Sequence, residues 1–169
     1  TYKENFGEMP DGDLTQIDES EVPKHDILLA GFPCQPFSNS GLKKGLDDER
    51  GGLFFEIKRL IQGSKARAIP GHIGPKAFLL ENVAGLATNG ASEPGISQLH
   101  AGKQRKIGGT MVRLERELKA MKDYDIAWKE LVSSDFGSPQ VRRRVFILGI
   151  HRDFRLSAAS LFPDGSAHR

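Results

Sequence analysis

The 169 residues include a single cysteine, Cys34. One thiol excludes an internal disulfide framework and any zinc site built from several thiolates. It also suits the reducing cytoplasm, where a lone cysteine is either inert packing or a reactive group. No apolar run approaches the roughly 18 residues that a membrane-crossing helix needs. No basic-then-apolar leader opens the chain on Thr1, so a cleaved signal is not expected. The five histidines, His25, His72, His100, His151 and His168, show no metal-ligand spacing. No glycine-rich turn follows a strand near the start, so the common nucleotide-binding fingerprint is missing. What remains is 38% apolar and 27% charged, the balance of one ordinary globular domain.

The net charge of +2 hides an asymmetry. Residues 1–50 hold eleven acids against five Lys or Arg, whereas residues 51–169 hold nineteen Lys or Arg against eleven acids. Two solvated faces of opposite sign account for this, and so does a basic surface that meets an anionic polymer.

Three short runs are nearly continuous in apolar residues: 26–31 (DILLAG), 77–81 (AFLLE) and 144–150 (RVFILGI). That pattern predicts strands buried on both faces. Residues 125–132 (DIAWKELV) predict a half-buried fourth strand. Between them lie two helical stripes, one of Leu53, Phe54, Ile57, Leu60 and Ile61, the other of Met111, Leu114, Leu118 and Met121. Alternation of this kind predicts an α/β layer on a mostly parallel sheet, with the last two strands as an antiparallel hairpin at one edge. Residues 63–75 and 88–109 read as surface insertions, the second either mobile or used for binding. There are no internal repeats.

Ligands of parallel α/β sheets bind beyond the carboxyl ends of the strands. The first strand runs into Phe32-Pro33-Cys34-Gln35-Pro36-Phe37-Ser38, which presents a thiol between two prolines. Free cysteine is often simply buried, but a strand-end loop faces a cleft. The second strand ends on Glu81, a carboxyl that is either a structural ion pair or a group that holds and delivers a proton. The last strand is entered through Gln140-Val141-Arg142-Arg143-Arg144. In extended chain Arg142 and Arg144 share one face and Arg143 takes the other. Two guanidinium forks beside a thiol and a carboxyl would favour the thiolate and orient the carboxylate. The combination points to covalent catalysis by sulfur with a nearby proton donor. A Cys–His hydrolase is disfavoured, because no histidine stands at a carboxyl strand end.

These blocks resemble the ordered signature motifs of the DNA (cytosine-5) methyltransferases. The resemblance rests on Phe32-Pro33-Cys34-Gln35 with Phe37-Ser38, on Glu81-Asn82-Val83 and on Gln140-x-Arg142-x-Arg144. It extends to Gly45-x-x-Asp48-x-Arg50-Gly51-x-Leu53-Phe54-Phe55, to Tyr2-Lys3-x-Asn5-Phe6 and to Gly12-Asp13-Leu14-Thr15. The implied fold is an incomplete Rossmann-like, S-adenosylmethionine-dependent methyltransferase sheet, without the first strands and the target-recognition domain. Residues 1–155 would be a partial catalytic domain and 156–169 a tail or the start of a missing region.

The same resemblance implies roles. Cys34 would attack C6 of a cytosine flipped out of double-stranded DNA. Glu81 would engage N3 and the exocyclic amine, Arg142 the O2 side, and Arg144 would position Glu81. S-adenosylmethionine would donate the methyl group, with no metal. Asp13 would bind the adenine edge of the cofactor, and Leu14, Pro33 and Leu53 would line its pocket. Gln35, Ser38, Ser40, Asn82 and Gln140 would face the DNA. The implied enzyme is cytoplasmic and of restriction-modification type, and a complementing chain would supply the missing cofactor loop and sequence reader. The alternatives are a non-catalytic remnant or nucleic-acid-binding subunit of a split methyltransferase, and an RNA cytosine-5 methyltransferase.

Overall fold

The computed structural model describes residues 1–33, 52–63, 74–89, 92–100 and 103–165, with the backbone course alone for 92–100 and 103–106. The elements are α1 (Tyr2–Phe6), β1 (Ile27–Gly31), α2 (Gly52–Gln62), β2 (Ala77–Val83), β3 (Ser92–His100), β4 (Lys103–Gly108), α3 (Gly109–Lys119), β5 (Tyr124–Val132) and β6 (Arg143–His151). Each predicted apolar run is a strand and each predicted stripe a helix, with ends shifted by a few residues.

The main sheet has the order β1-β2-β6-β5. β1 and β2 pair in parallel; β6 is antiparallel to both of its neighbours, so β5 points the same way as β1 and β2. The sheet is therefore mixed, with β6 reversed against three strands that share one direction. The connection 133–142 is shorter than the dozen or so residues that a parallel crossover requires. β5 and β6 accordingly form the expected antiparallel pair, with β5 at the edge.

Side chains alternate between the two faces of a strand. One face carries Phe78, Leu80, Val145 and Ile147, all sealed in a single cluster with Phe54, Ile57 and Ile61 of α2 and Met111, Leu114 and Leu118 of α3. Burying each such side chain contributes about 1.5–3 kcal/mol. Gly149 faces Phe78 across the β2–β6 pair, and a Cβ there would come within 2.2 Å of the ring. The two helices are joined at their outer surfaces by Lys58 Nζ and Glu117 Oε2, 2.8 Å apart. Lys58 holds the Glu117 carboxyl below the usual carboxylate range.

The other face is open. Leu79, Phe146 and Leu148 are half-buried, and Ile27 and Leu29 on β1 are 62% and 72% exposed. The expectation of strands buried on both faces fails here, because α2 and α3 pack on the same side. Residues 156–165 cover only the β5–β6 end of the open face. Ala158 N–H donates to Asp125 Oδ2 at 2.8 Å, and Lys129 Nζ donates to the Pro163 carbonyl at 2.8 Å.

The stretch 88–109, expected as an irregular insertion, contains the β3–β4 hairpin. Its register shifts between Ser92 and Ser97, and Pro94-Gly95 interrupt the alternation that marks a strand in sequence. Residues 64–73, most of the other expected insertion, lie outside the described residues. No helix among the described residues is long and apolar enough to cross a membrane.

Candidate active site

Glu81 stands on the open face, in register with Gly31 of β1 on one side and Phe146 of β6 on the other. Arg144 pairs across from Val83, two residues further along β2, so its side chain reaches back diagonally along the same face. Its Nε lies 2.7 Å from Glu81 Oε1, and its Nη1 donates to the Arg143 carbonyl at 2.8 Å. The second carboxylate oxygen points toward β1. Glu81 Oε2 is 3.8 Å from where a Gly31 Cβ would stand, an ordinary contact distance. Glu81 remains 44% exposed and Arg144 22%, so the pair is reachable from solvent.

The predicted alternation of the three arginines holds. Arg143 turns to the helix-covered face and pairs with the buried Glu130 at 3.1 Å. Arg142 and Arg144 line one cleft of about 430 Å³ with Glu81. The cleft walls are Leu131, Phe136, Phe146 and Pro163, an apolar lining with a few convergent polar groups. Among the described residues the Arg142 guanidinium has no partner.

Ser133 fixes the approach to this cleft, a role the sequence did not signal. Its N–H donates to the Arg142 carbonyl at 3.0 Å. Its hydroxyl donates to the Gln140 carbonyl and accepts from Arg142 N–H at 3.0 Å. Ser138 Oγ accepts from Gln140 N–H at 3.2 Å. The backbone of 140–142 is thus held at several points while the Gln140 side chain stays exposed. A serine directly after a strand is the one available sign, since its hydroxyl competes well for nearby backbone groups.

Cys34, Gln35, Ser38 and Ser40 lie outside the described residues. The strand end that leads into them is described. Phe32 is buried against Phe54, with ring centroids 5.8 Å apart. The Phe32 carbonyl accepts a 3.1 Å hydrogen bond from Asn82 Nδ2. Asn82 is 3% exposed, and its side-chain oxygen also accepts from Val83 N–H at 2.8 Å. Asn82, expected to face the DNA, is buried with its amide bonded to backbone groups. One residue past Glu81 the side chain faces the opposite way, and this amide is committed to backbone. It ties β2 to the Phe32 carbonyl, two residues before Cys34.

The four residues expected at the cofactor gather around α2. Asp13 caps a short 3₁₀ turn, Leu14–Gln16, with Oδ1 accepting from Thr15 N–H and Thr15 Oγ1, both at 2.9 Å. Those bonds, the backbone one foremost, hold the exposed carboxyl below the usual carboxylate range. Among the described residues Asp13 Oδ2 has no partner. Leu14, Pro33 and Leu53 are half-buried. Pro33 follows the Phe32 ring that meets the first turn of α2, where Leu53 stands.

Arg59, on the same helix, joins the turn to α2. Its Nε donates to Glu56 Oε2 at 2.8 Å, and its Nη1 bonds the buried Glu19. Its Nη2 donates to the carbonyls of Ile17 at 2.9 Å and Leu14 at 3.3 Å. In the sequence Arg59 is indistinguishable from a solvated charge on the polar flank of a helix. No cluster of three or more metal-ligating side chains occurs among the described residues.

A family model described as C-5 cytosine-specific DNA methylase matches residues 1–167. The Type II methyltransferase M1.ScrFI of Lactococcus lactis subsp. cremoris is 43% identical over 152 residues, covering 90% of this chain and 32% of that protein. The Type II methyltransferase M.BsuFI of Bacillus subtilis is 37% identical, covering 98% of this chain and 34% of the relative. The chain therefore spans about a third of the length of these curated relatives. Among solved structures, the Entamoeba histolytica methyltransferase EhMeth aligns over 88% of this chain and 40% of its own, with TM-score 0.55 and 21% identity. The S. pombe Dnmt2 methyltransferase aligns over 98% of this chain and 46% of its own, with TM-score 0.55 and 17% identity. These likenesses bear out a partial Rossmann-like methyltransferase fold.

Proposed function

The chain belongs to the C-5 cytosine-specific DNA methylase family, and from that premise we propose that it is the central catalytic portion of a restriction-modification DNA cytosine-5 methyltransferase. Residues 1–155 form the partial catalytic domain, and a complementing segment supplies the rest of the cofactor site and the sequence reader. The enzyme works in the cytoplasm on double-stranded DNA.

One observation carries this reading: Arg144 holds Glu81 at 2.7 Å in the cleft that Arg142 also lines, beside the strand end that leads into Cys34. The pyrimidine ring resists nucleophilic addition unless the charge entering it is neutralised. The Cys34 thiolate bonds to C6, and the displaced electron density moves toward C5 and N3. Glu81 donates a proton at N3 and engages the exocyclic amine, while Arg142 binds O2. Arg144 keeps Glu81 aimed at the ring edge. After methylation the C5 proton leaves and the ring expels the thiolate. The base reaches this cleft by leaving the duplex, which costs roughly a few kcal/mol. Gln35, Ser38, Ser40 and Gln140 contact the DNA around it, and Asn82 acts on the loop instead.

The adenine half of a cofactor site fits the residues present. Asp13 Oδ2, which has no partner among the described residues, is an acceptor for an exocyclic amine, and Leu14, Pro33 and Leu53 supply apolar surface. Bound S-adenosylmethionine supplies an electrophilic methyl group.

Labelled cofactor tests this reading. The chain, assembled with a complementing segment, transfers label to duplex DNA, and Cys34→Ala abolishes the transfer. Undiminished label in the alanine variant contradicts the thiolate mechanism. Transfer to RNA but not DNA favours the RNA reading.

A further inference from the structure

We propose that Arg59 is a positioning residue that sets the adenine end of the cofactor site by clamping the turn at residues 14–17 to α2. The inference rests on the methyltransferase reading above. A helix-surface arginine ordinarily points into water. This one is only 25% exposed and spends its fork on two backbone carbonyls and two carboxylates. Its partner Glu19 is 6% exposed, and a charge buried so far needs a bonded counter-charge.

Among the described residues the turn has one other anchor, the half-buried Leu14 side chain packed against the core, and nothing else that fixes its backbone. It is one turn of 3₁₀ helix with no buried residue, and its internal bonds only shape it. They do not place it against the rest of the fold. Arg59 does so at the turn's backbone, beside the Leu14 contact, because α2 is anchored in the core through Phe54, Ile57 and Ile61. Asp13 lies one residue from the clamped Leu14 carbonyl, so the clamp decides where its unpartnered oxygen stands relative to Leu53. A carboxylate hydrogen bond to an amine is steep in distance and angle. A loosened turn weakens recognition of the adenine amine without touching the reacting carbons.

The test compares methyl transfer by the completed enzyme carrying Arg59, Arg59→Lys or Glu56→Gln. Lysine keeps a charge for Glu19 but cannot reach both carbonyls, so the fold is retained. The expected result is a KM for S-adenosylmethionine raised about tenfold in Arg59→Lys, the loss of one good hydrogen bond, with kcat unchanged. Glu56→Gln leaves the turn contacts in place and leaves KM unchanged. With a cofactor analogue that bears a carbonyl in place of the adenine amine, Arg59→Lys and the unsubstituted enzyme share one KM. A fall in kcat at constant KM, or an equal KM rise with both cofactors, overturns the assignment while the methyltransferase reading stands. Absence of transfer by the unsubstituted enzyme defeats both together.

Discussion

The two faces of the four-stranded sheet use the same strands for opposite purposes. On the covered face, Phe78, Leu80, Val145 and Ile147 are sealed by two helices, and the polar residues there, Asn82 and Glu130, are bonded and silent. On the open face, Glu81 and Arg144 meet one another, and Leu79, Phe146 and Leu148 stay half-buried. The switch between structure and chemistry happens within single steps of the chain. Glu81 faces a cleft and Asn82 faces the core; Arg144 holds a carboxylate that solvent reaches and Arg143 holds a buried one. Strand alternation lets a rigid core be built directly behind the charged groups of the cleft, so the core fixes their positions without burying them.

The contrast predicts separable losses. Glu81→Gln keeps the shape and the Arg144 contact but removes the proton. Methyl transfer by the completed enzyme falls about 10²–10⁴-fold, while thermal unfolding stays near that of the unsubstituted protein because the side chain is half-exposed. A variant that unfolds early shows instead that the ion pair is structural. Phe78→Ala, on the other face, removes about 3–5 kcal/mol of stability, read from denaturant unfolding, and costs activity only through loss of folded protein. The smallest effect belongs to Leu29→Thr. On this chain it changes stability by less than about 0.5 kcal/mol. In an enzyme whose complementing segment covers the open face, the cost rises to about 1.5–3 kcal/mol. An equal, negligible cost in both shows that nothing packs there.

Continuous apolar runs and helical stripes gave away the strands and helices, because burial selects side chains in a way that leaves a period. The reversal of β6 was also readable in part, from the short loop before Arg143. What sequence did not show is which sheet face the helices choose, so Leu29 looked as buried as Leu80. The β3–β4 hairpin escaped because Pro94-Gly95 and its polar residues carry no alternation. Glu81, Arg142 and Arg144 were legible as a group, since charged residues at the ends of apolar runs stand out. Asn82, Ser133 and Arg59 were not. Their work is done through hydrogen bonds to distant backbone, and a polar residue in sequence gives no address for its partner.

The most direct test of the account is covalent trapping. A duplex carrying 5-fluorocytosine at the target position blocks loss of the C5 substituent, so the enzyme–DNA bond at C6 persists. The completed enzyme, with S-adenosylmethionine, is expected to give a denaturation-resistant complex whose cross-linked peptide contains Cys34, and Cys34→Ala is expected to give none. A stable complex that maps to another residue, or one that survives the Cys34 substitution, contradicts the claim that this thiolate opens the reaction.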